Sequence, residues 1–286
     1  MTSVHERVAD ARARLREAGL SASEADLGSR LLATHVLGWT TAQLLADGRE
    51  PEPPGFQHRF AMLVARRAAR EPLAYIVGSR EFWGLTFEVT PDVLIPRPET
   101  ELLVEAALDL YPDRHGPLDV ADVCTGSGCV AIALAHERPS WTILATDISE
   151  AALAVARRNG ARHDVQRQLR WAQGDLLDAF HGPFDLIVAN PPYVRAGDRE
   201  GLQPEVREEP AVALYGGAAG LDAVTRLVVE APSRLREAGY FLFEFGFGQE
   251  IEVEDLIARS RALSLVALRR DIQGIARTAI TRRSAL

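Results

Sequence analysis

The chain has 286 residues, 47% hydrophobic and 25% charged, a balance typical of a globular protein with one large or two modest domains. This composition excludes a disordered chain, a collagen-like chain and a small disulfide-stapled fold. All 32 basic residues are arginines, and 40 acidic residues bring the net charge to −8, which disfavours nucleic-acid binding by a generally basic surface. Because lysine is absent, a Schiff-base lysine and a P-loop lysine are excluded.

The cysteines, the histidines and the hydropathy of the chain indicate its cellular compartment and whether it binds a metal ion. Cys124 and Cys129 are the only cysteines, too few for a disulfide framework, and we interpret them as reduced thiols. The seven histidines show no ligand spacing, so no metal site is predicted. Residues 1–17 lack the apolar segment of a signal peptide, and no apolar run approaches the roughly 18 residues of a membrane span. We therefore expect a cytoplasmic protein with no membrane partner.

Residues 1–72 are predicted to form a helical domain. Ser21 and Thr40 begin capping patterns of two helices, Gly38 ends the first of these, and Pro72 stops a later apolar stripe. This segment has a net charge of +1, whereas the remaining chain carries −9, which favours two domains with different roles. The first helix is predicted from apolar residues at helical spacing, namely Val4, Val8, Ala11 and Leu15.

Residues 73–98 are predicted to form a β-rich connector. Residues 75–77 suggest extended chain, and residues 81–83 and 85–89, separated by Gly84, predict a small hairpin. Three prolines then keep the chain extended, Pro91, Pro96 and Pro98.

From residue 99 to 286 helical patterns alternate with short apolar strands. Helices are predicted at residues 101–110, 129–137, 150–158, 221–236 and 249–258. Strands are predicted at residues 118–123, 142–146, 169–171, 184–189, 240–245 and 264–268, with residues 276–281 as a possible edge strand. This alternation predicts an α/β fold with a doubly wound, Rossmann-like parallel sheet, in which ligands bind at the carboxyl ends of the strands.

The first candidate binding site is a glycine-containing turn between a strand and a helix. It is the run Asp122-Val123-Cys124-Thr125-Gly126-Ser127-Gly128. Glycines let the backbone approach a ligand closely, and a helix N-terminus offers free N–H groups. A tight turn that binds nothing needs the same glycines and remains an alternative. A nucleophile elbow and a P-loop are excluded, because neither GxSxG nor GK[ST] occurs here.

Two acidic residues follow the next two strands. Asp147 comes about 20 residues after the glycines, where a carboxylate can accept hydrogen bonds from both ribose hydroxyls of a nucleoside. Its alternative role is a helix cap beside Ser149. Asp175 follows the third strand and is placed to reach an adenine amino group, with a plain turn residue as the alternative. Together, the glycine turn and Asp147 predict a nucleoside-containing cofactor.

The run Asn190-Pro191-Pro192-Tyr193 follows the fourth strand and indicates the chemistry. Its prolines remove two N–H donors, which leaves carbonyl oxygens, the Asn190 side-chain oxygen and the Tyr193 ring. Two acceptors can hold both hydrogens of a planar –NH2 group while the ring packs on its face. Holding both hydrogens aims the lone pair of a poorly nucleophilic amide nitrogen. We predict Asn190, Pro191 and Tyr193 as catalytic residues and residues 190–193 as the substrate-binding loop.

These residues carry a resemblance to a known family. The Asn-Pro-Pro-Tyr loop resembles that of S-adenosylmethionine-dependent amino-group methyltransferases. The chain from residue 75 onward resembles the HemK-type protein-(glutamine-N5) methyltransferases that modify peptide chain release factors. Besides the loop and the glycine turn, the resemblance rests on residues 93–101, 213–217, 220–222, 243–249 and 271–275.

The resemblance implies a class I methyltransferase domain at residues 99–286 and a helical domain at residues 1–72 that docks the release factor. It implies methyl transfer from S-adenosylmethionine to the glutamine of a Gly-Gly-Gln loop, in translation termination. Residues 124–128 would contact the methionine part, Asp147 the ribose and Leu176 the adenine, while Asn190 would hold the glutamine amide. The implied cofactor-binding residues are Cys124, Thr125, Gly126, Ser127, Gly128, Asp147, Asp175, Leu176 and Asn190.

The sequence departs from the family pattern at two places. Cys124 stands where the family usually has glycine, and we expect an ordinary φ angle there. Ala218 and Ala219 stand where an acidic residue usually precedes the Gly-Leu pair, and we have no physical account of this change.

Three other functions remain open from the sequence. A glutamine methyltransferase of a ribosomal protein would use the same chemistry. An amino-group methyltransferase of nucleic acid would stack an extruded base on Tyr193. It would need a basic face, for which Arg66, Arg67 and Arg70 are the candidates, with a solvated helix face as the alternative. A non-catalytic cofactor-binding scaffold would not need the Asn-Pro-Pro-Tyr loop.

Overall fold

In the computed structural model of the chain, residues 2–284 are described, and they divide into two units. The helical unit comprises the chain up to Gly78 together with Gln203–Glu208. The sheet unit comprises Ser79–Leu202 and the chain from Glu209 onward. None of the helices within residues 2–284 is long and apolar enough to cross a membrane.

Capping side chains determine where the first three helices of the helical unit begin. Ser21 and Thr40 each accept a hydrogen bond from the backbone N–H three residues later, so both predicted capping boxes are confirmed. Gly38 ends the second helix in the left-handed conformation, as predicted. The helices are α1 (Val4–Glu17), α2 (Ala22–Leu37), α3 (Thr41–Asp47), α4 (Phe56–Ala68) and α5 (Leu73–Val77).

The core of the helical unit confirms one predicted apolar stripe and corrects a predicted extended segment. All four predicted stripe residues of α1 are buried. Residues 75–77 are not extended, because Pro72 and the left-handed Gly78 enclose a helical turn in which the Ile76 N–H donates to the Pro72 carbonyl. A three-residue apolar run fits a strand and a helical turn equally well, so periodicity could not decide between them.

The sheet unit begins with the predicted hairpin. Strands β1 (Ser79–Phe82) and β2 (Leu85–Glu88) pair antiparallel. Trp83 and Gly84 between them both have positive φ, which is typical of a two-residue hairpin turn. Phe82 and Phe87 bury their rings in the core shared with the sheet.

A seven-stranded sheet confirms the doubly wound α/β prediction. Its strands lie in the order β5-β4-β3-β6-β7-β9-β8, parallel from β5 to β7, with β9 antiparallel to both of its neighbours. The strands are β3 (Asp119–Val123), β4 (Thr142–Asp147), β5 (Leu169–Gln173), β6 (Phe184–Ala189), β7 (Leu235–Glu244), β8 (Leu263–Arg270) and β9 (Ala276–Arg283). The helices are α6 (Glu101–Leu110), α7 (Cys129–Glu137), α8 (Glu150–Arg162), α9 (Ala211–Leu214), α10 (Asp222–Arg234) and α11 (Glu250–Ser260).

The position of the last strand differs from the prediction. We expected residues 276–281 at the edge of the sheet, but β9 lies between β7 and β8, and β8 forms the edge. Burial agrees with this order, because Thr278 and Thr281 in β9 are fully buried whereas the middle of β8 is exposed. Strand order depends on how the β8–β9 hairpin folds back, and the local pattern does not encode this.

The sheet order places a switch point between β3 and β6. The chain runs outward from β3 to β5 and then crosses to β6 on the other side of β3. Alternate strand residues face the two cores, with Val120 and Leu186 on one face and Val123 and Ile187 on the other. Ligands of such sheets bind at the carboxyl ends of the strands beside the switch point.

Candidate active site

A cavity of about 290 Å³ lies at the carboxyl ends of β3, β4 and β6. Three of the predicted residues, Gly128, Pro191 and Tyr193, are not among those that line it. The structure brings the other predicted residues together around this cavity, namely Cys124, Thr125, Gly126, Ser127, Asp147, Asp175, Leu176, Asn190 and Pro192. The cavity is therefore the candidate active site.

Backbone hydrogen bonds hold the glycine turn against β4. The Thr125 N–H donates to the Thr146 carbonyl at 2.9 Å, and the Gly126 N–H donates to Asp147 Oδ2 at 2.9 Å. Buried Asn159 on α8 donates to the Ser127 carbonyl at 2.9 Å and exchanges two further hydrogen bonds with the backbone of Glu88. Asn159 is a supporting residue that sequence reasoning missed, because an asparagine inside a helix carries no signal for it.

Two cavity residues other than glycine adopt positive φ. Cys124 has φ 60°, which contradicts the ordinary φ that we expected for a cysteine, and Leu176 has φ 49°. The turn has to leave β3 and present its backbone to the cavity within a few residues, and this geometry overrides the preference of the side chain. Each such residue costs about 1–2 kcal/mol, and strain of this kind is concentrated at functional sites.

Gly128 and Gly126 form a matched pair for mutation, since both have positive φ, at 81° and 55°. A Cβ at Gly128 would lie 3.0 Å from Ile132 Cδ1 and 3.1 Å from Ala156 Cβ, whereas a Cβ at Gly126 meets nothing within 4 Å. We expect Gly128→Ala to lower the free energy of unfolding by about 2–4 kcal/mol and Gly126→Ala by only about 1 kcal/mol. Urea denaturation of both variants tests this, and equal losses would contradict the packing argument.

Asp122 is a buried carboxylate at the end of β3 and lines the cavity. It accepts a hydrogen bond from the Thr125 hydroxyl at 2.6 Å and another from the Ala131 N–H in the first turns of α7. Burial raises the pKa of Asp122 to about 7, although both hydrogen bonds oppose the shift. The folded protein therefore holds this proton more tightly than the unfolded chain does.

This raised pKa predicts a pH dependence of stability. The unfolded carboxyl ionises near its ordinary value, so the contribution of Asp122 to stability is greatest below about pH 4 and declines as the pH rises towards 7. We expect Asp122→Asn to remove this decline, so that stability relative to the wild type rises by about 2–4 kcal/mol between pH 4 and pH 8. Urea denaturation across that range measures it, with exposed Asp178→Asn as the control. A constant difference would contradict the expectation.

Asp147 ends β4 and holds both the glycine turn and the next helix. Its Oδ2 accepts from the Gly126 N–H and its Oδ1 from the Ser149 N–H, both at 2.9 Å. Burial raises the pKa of Asp147, and these backbone hydrogen bonds counteract the rise. Each carboxylate oxygen has a second lone pair, so hydroxyl donors can still bind from the cavity side. The side chain of Ser149 also caps α8, so the capping role belongs to Ser149.

Asp175 and Leu176 lie at the other side of the cavity, after β5. Asp175 is half-exposed and forms an ion pair with Arg226 at 2.7 Å. Leu176 packs in the core on the face of the sheet that holds Val123 and Ile187, and it also lines the cavity. Their contacts with an adenine remain a prediction.

The Asn-Pro-Pro-Tyr loop is attached to two residues that sequence reasoning missed. Asn190 Nδ2 donates to Thr100 Oγ1 at 3.1 Å, the Thr100 hydroxyl donates to Glu244 Oε2 at 2.7 Å, and the Tyr193 hydroxyl donates to Glu244 Oε1 at 2.9 Å. Thr100 and Glu244 are buried. Both belong to runs that carried the family resemblance, but nothing in the sequence indicated that they meet.

Gln249 connects the loop to the surrounding backbone and was also missed as a contact residue. Its Nε2 donates to the carbonyls of Tyr193 and Ala219 at 3.0 and 3.2 Å, and its Oε1 accepts from the Gly246 N–H at 2.7 Å. Gln249 is almost fully buried. The Tyr193 hydroxyl is bound to Glu244, and stacking of its ring on a substrate amide remains a prediction.

The cavity fits a nucleoside cofactor with a polar tail. The Ser127 hydroxyl is buried, lines the cavity and makes no hydrogen bond of normal geometry to the part of the chain that the structure describes. A polar ligand group at the glycine turn would satisfy it, as buried polar atoms require. Asp147 supplies acceptors for hydroxyl groups. Within residues 2–284, His, Cys, Asp and Glu side chains form no group of three or more that could hold a metal ion.

The arginine cluster considered for RNA binding lies in the helical unit and is paired with carboxylates. Arg67 is buried and bonds to Glu205 at 2.7 Å, and Arg70 shares the same carboxylate at 2.8 Å. Arg66 pairs with Glu71. These ion pairs neutralise most of the charge that phosphate binding would use.

Family and structure comparisons agree with the α/β fold of the sheet unit and with the N-terminal helical region. Residues 6–78 match the PrmC N-terminal domain, and residues 99–206 match the methyltransferase small domain. The 16S rRNA N2 G1207 methyltransferase of T. thermophilus, solved in complex with AdoMet and guanosine, superimposes with a TM-score of 0.52 at 20% identity over 73% of this chain and 50% of that chain. The fold is that of the class I methyltransferases, which use S-adenosylmethionine as the methyl donor.

Curated relatives narrow this class to one family. The release factor glutamine methyltransferase of Bordetella pertussis is 43% identical over 88% of this chain and 92% of its own length. That of Rhodospirillum rubrum is 42% identical over 95% of this chain and 82% of its own length. The chain belongs to the family of release factor glutamine methyltransferases.

Proposed function

We propose that this protein transfers a methyl group from S-adenosylmethionine to the N5 amide nitrogen of the glutamine in the Gly-Gly-Gln motif of peptide chain release factors. The observation that carries the proposal is the position of Asn190, which borders the cofactor cavity while its Nδ2 is bound to Thr100. Its side-chain oxygen is then the atom left to accept a hydrogen from a substrate amide. The names of the relatives support the same substrate.

When bound, S-adenosylmethionine supplies an activated sulfonium methyl group. The residues of this chain position the cofactor and the substrate amide. Residues 124–128 and Asp147 would hold the methionine and ribose parts, and Asp175 and Leu176 would lie beside the adenine. Asn190, together with a carbonyl of the proline pair, accepts both hydrogens of the glutamine amide and aims its nitrogen. The methylated amide loses its proton to water, because an N-alkylated amide cation is strongly acidic, so no protein base is needed.

The helical unit is proposed to dock the release factor, and residues 1–72 are the proposed docking domain. Its match to the PrmC N-terminal domain supports this role. Direct binding to nucleic acid is disfavoured by the net charge and by the paired arginines. Because release factors act on ribosomes, we expect the enzyme to act in the cytoplasm.

The test incubates purified enzyme with methyl-labelled S-adenosylmethionine and either an intact release factor or the same factor with its Gly-Gly-Gln glutamine changed to alanine. The expected result is one methyl group on the intact factor only, located on that glutamine by mass spectrometry. Labelling of both factors, or of neither, would contradict the proposal. Parallel reactions with ribosomal proteins and RNA would then identify the acceptor.

A further inference from the structure

Four polar side chains form a continuous hydrogen-bond chain beside the cavity. Glu244 at the end of β7 accepts from the Thr100 and Tyr193 hydroxyls, and Thr100 in turn accepts from Asn190 Nδ2. Thr100 is 2% exposed and Glu244 is 1% exposed, so water does not compete for these bonds. Of these four residues, Asn190 and Thr100 also line the cavity.

The direction of each bond follows from the number of protons available. An ionised carboxylate only accepts, so the single proton of the Thr100 hydroxyl points to Glu244 Oε2, 2.7 Å away. The Thr100 oxygen can then only accept, and the Asn190 atom that faces it at 3.1 Å has to be the donor Nδ2. The acceptor Oδ1 is thereby left for the substrate.

We propose that Thr100 and Glu244 are positioning residues that fix the orientation of the Asn190 amide, so that an acceptor and not a donor faces the substrate. This inference rests on the proposed function. A protonated Glu244 would donate to Thr100, and Thr100 would then donate to Asn190. The amide would turn over and present its –NH2 group to the glutamine –NH2 group. Two donors cannot hydrogen-bond to each other, so the reacting nitrogen would lose its alignment.

The fixed orientation of the Asn190 amide also favours glutamine over glutamate as the substrate. With Oδ1 held outward, Asn190 and the carbonyls of its loop present acceptors, which a glutamine –NH2 group satisfies and a glutamate carboxylate does not. The negative charge of Glu244 behind the loop adds to this rejection. A site that requires a donor in this way discriminates by leaving its polar groups unpaired in the wrong complex.

Charged and titratable groups from several elements surround Glu244. Glu99 precedes α6, Cys129 begins α7, Tyr193 lies in the loop after β6, and Arg277 lies on β9. Arg277 and the two hydroxyl donors favour the ionised carboxylate, whereas Glu99 and burial oppose it, and burial is the largest effect, so the pKa of Glu244 is raised. Activity is therefore expected to fall on acidification at a higher pH than for an ordinary glutamate.

Thr100→Val and Thr100→Ser form the matched pair that tests the proposal. Valine keeps the shape but removes the hydroxyl, whereas serine restores it. At saturating S-adenosylmethionine, we expect Thr100→Val to lower kcat/KM for the release factor by about 10- to 100-fold and Thr100→Ser by less than about 3-fold. Cofactor affinity, measured by calorimetry, is expected to change by less than about 2-fold in both, because Thr100 acts through Asn190.

Glu244→Gln supplies a second readout that a structural role alone would not move. Because glutamine does not titrate, the acidic limb of the wild-type kcat/KM profile is expected to become shallower in this variant, with a lower plateau, while Asp122 and Asp147 in the cavity still titrate. The positioning role of Thr100 and Glu244 would be overturned by an unchanged acidic limb in Glu244→Gln, by near-normal activity of Thr100→Val, or by equal losses in both Thr100 variants.

The failure of this role can be told apart from the failure of the proposed function. If the wild type transfers no methyl group to the release factor, both are overturned. If the wild type does transfer it and Thr100→Val is near-normal, only the positioning role is overturned.

Discussion

Replacing Asn190 by alanine is expected to lower the turnover of release-factor methylation by about 100- to 1,000-fold, while the affinity for S-adenosylmethionine changes by less than about 2-fold. Asn190 directly follows β6 at the switch point, and its Nδ2 is bound to Thr100, which leaves its oxygen to face the substrate. Without it, the amide nitrogen keeps its delocalised lone pair and loses one of the two acceptors that align it.

Single-turnover kinetics with saturating cofactor measures this loss, and calorimetry with S-adenosylmethionine measures the binding. Asn190→Asp is the sharper companion variant, because it keeps the size of the side chain. Its second oxygen would face the Thr100 oxygen, whose proton is committed to Glu244, so we expect a loss as large as that of alanine. Near-normal single-turnover rates in Asn190→Ala would contradict the proposed role, and a large loss of cofactor affinity would assign Asn190 to cofactor binding instead.

Local sequence signals were sufficient for most elements of the sheet unit. Helices α6 and α7 and strand β6 have the predicted bounds, because each is enclosed by a clear signal such as the glycine turn before α7 or the prolines after β6. Residues 75–77 were predicted wrongly because three apolar residues contain no period. The place of β9 inside the sheet depends on pairing between distant segments, which no local pattern contains.

The cavity was predictable for a topological reason. The glycine turn, Asp147 and Asn190 lie at the carboxyl ends of β3, β4 and β6, and the carboxyl ends of parallel strands meet at one edge of the sheet. Thr100 and Glu244 could not be found in this way, because 90 and 144 residues of sequence separate Thr100 from its two partners. Contacts between residues so far apart in the sequence form only when the whole chain has folded, so no local pattern predicts them.

Hydrogen bonds around the glycine turn explain why the turn tolerates a cysteine at position 124. A left-handed φ at Cys124 costs about 1–2 kcal/mol, but the turn around it is held by the Thr125 and Gly126 bonds to β4. The surrounding bonds therefore fix the conformation that a glycine would adopt freely. Leu176 also has a positive φ that its surroundings hold, because its side chain packs in the core while the residue borders the cavity.

Replacing Asp147 is expected to weaken S-adenosylmethionine binding by about 10- to 100-fold, because hydrogen bonds to a charged group contribute about 1.5–3 kcal/mol. Both oxygens already accept backbone N–H groups, from Gly126 and Ser149. Asp147→Asn is therefore expected to be at least as damaging as Asp147→Ala, since the new –NH2 group has to face one of these N–H donors.

Isothermal titration with S-adenosylmethionine and, separately, with its product S-adenosylhomocysteine measures the effect. Asp178→Ala is the matched control, because Asp178 is an exposed carboxylate near the same cavity and does not line it. If Asp147→Asn binds S-adenosylmethionine more tightly than Asp147→Ala does, the hydrogen bonds from the Gly126 and Ser149 N–H groups do not require a carboxylate at this position. If both variants bind as the wild type does, the ribose lies elsewhere and Asp147 acts only as a brace between the glycine turn and α8.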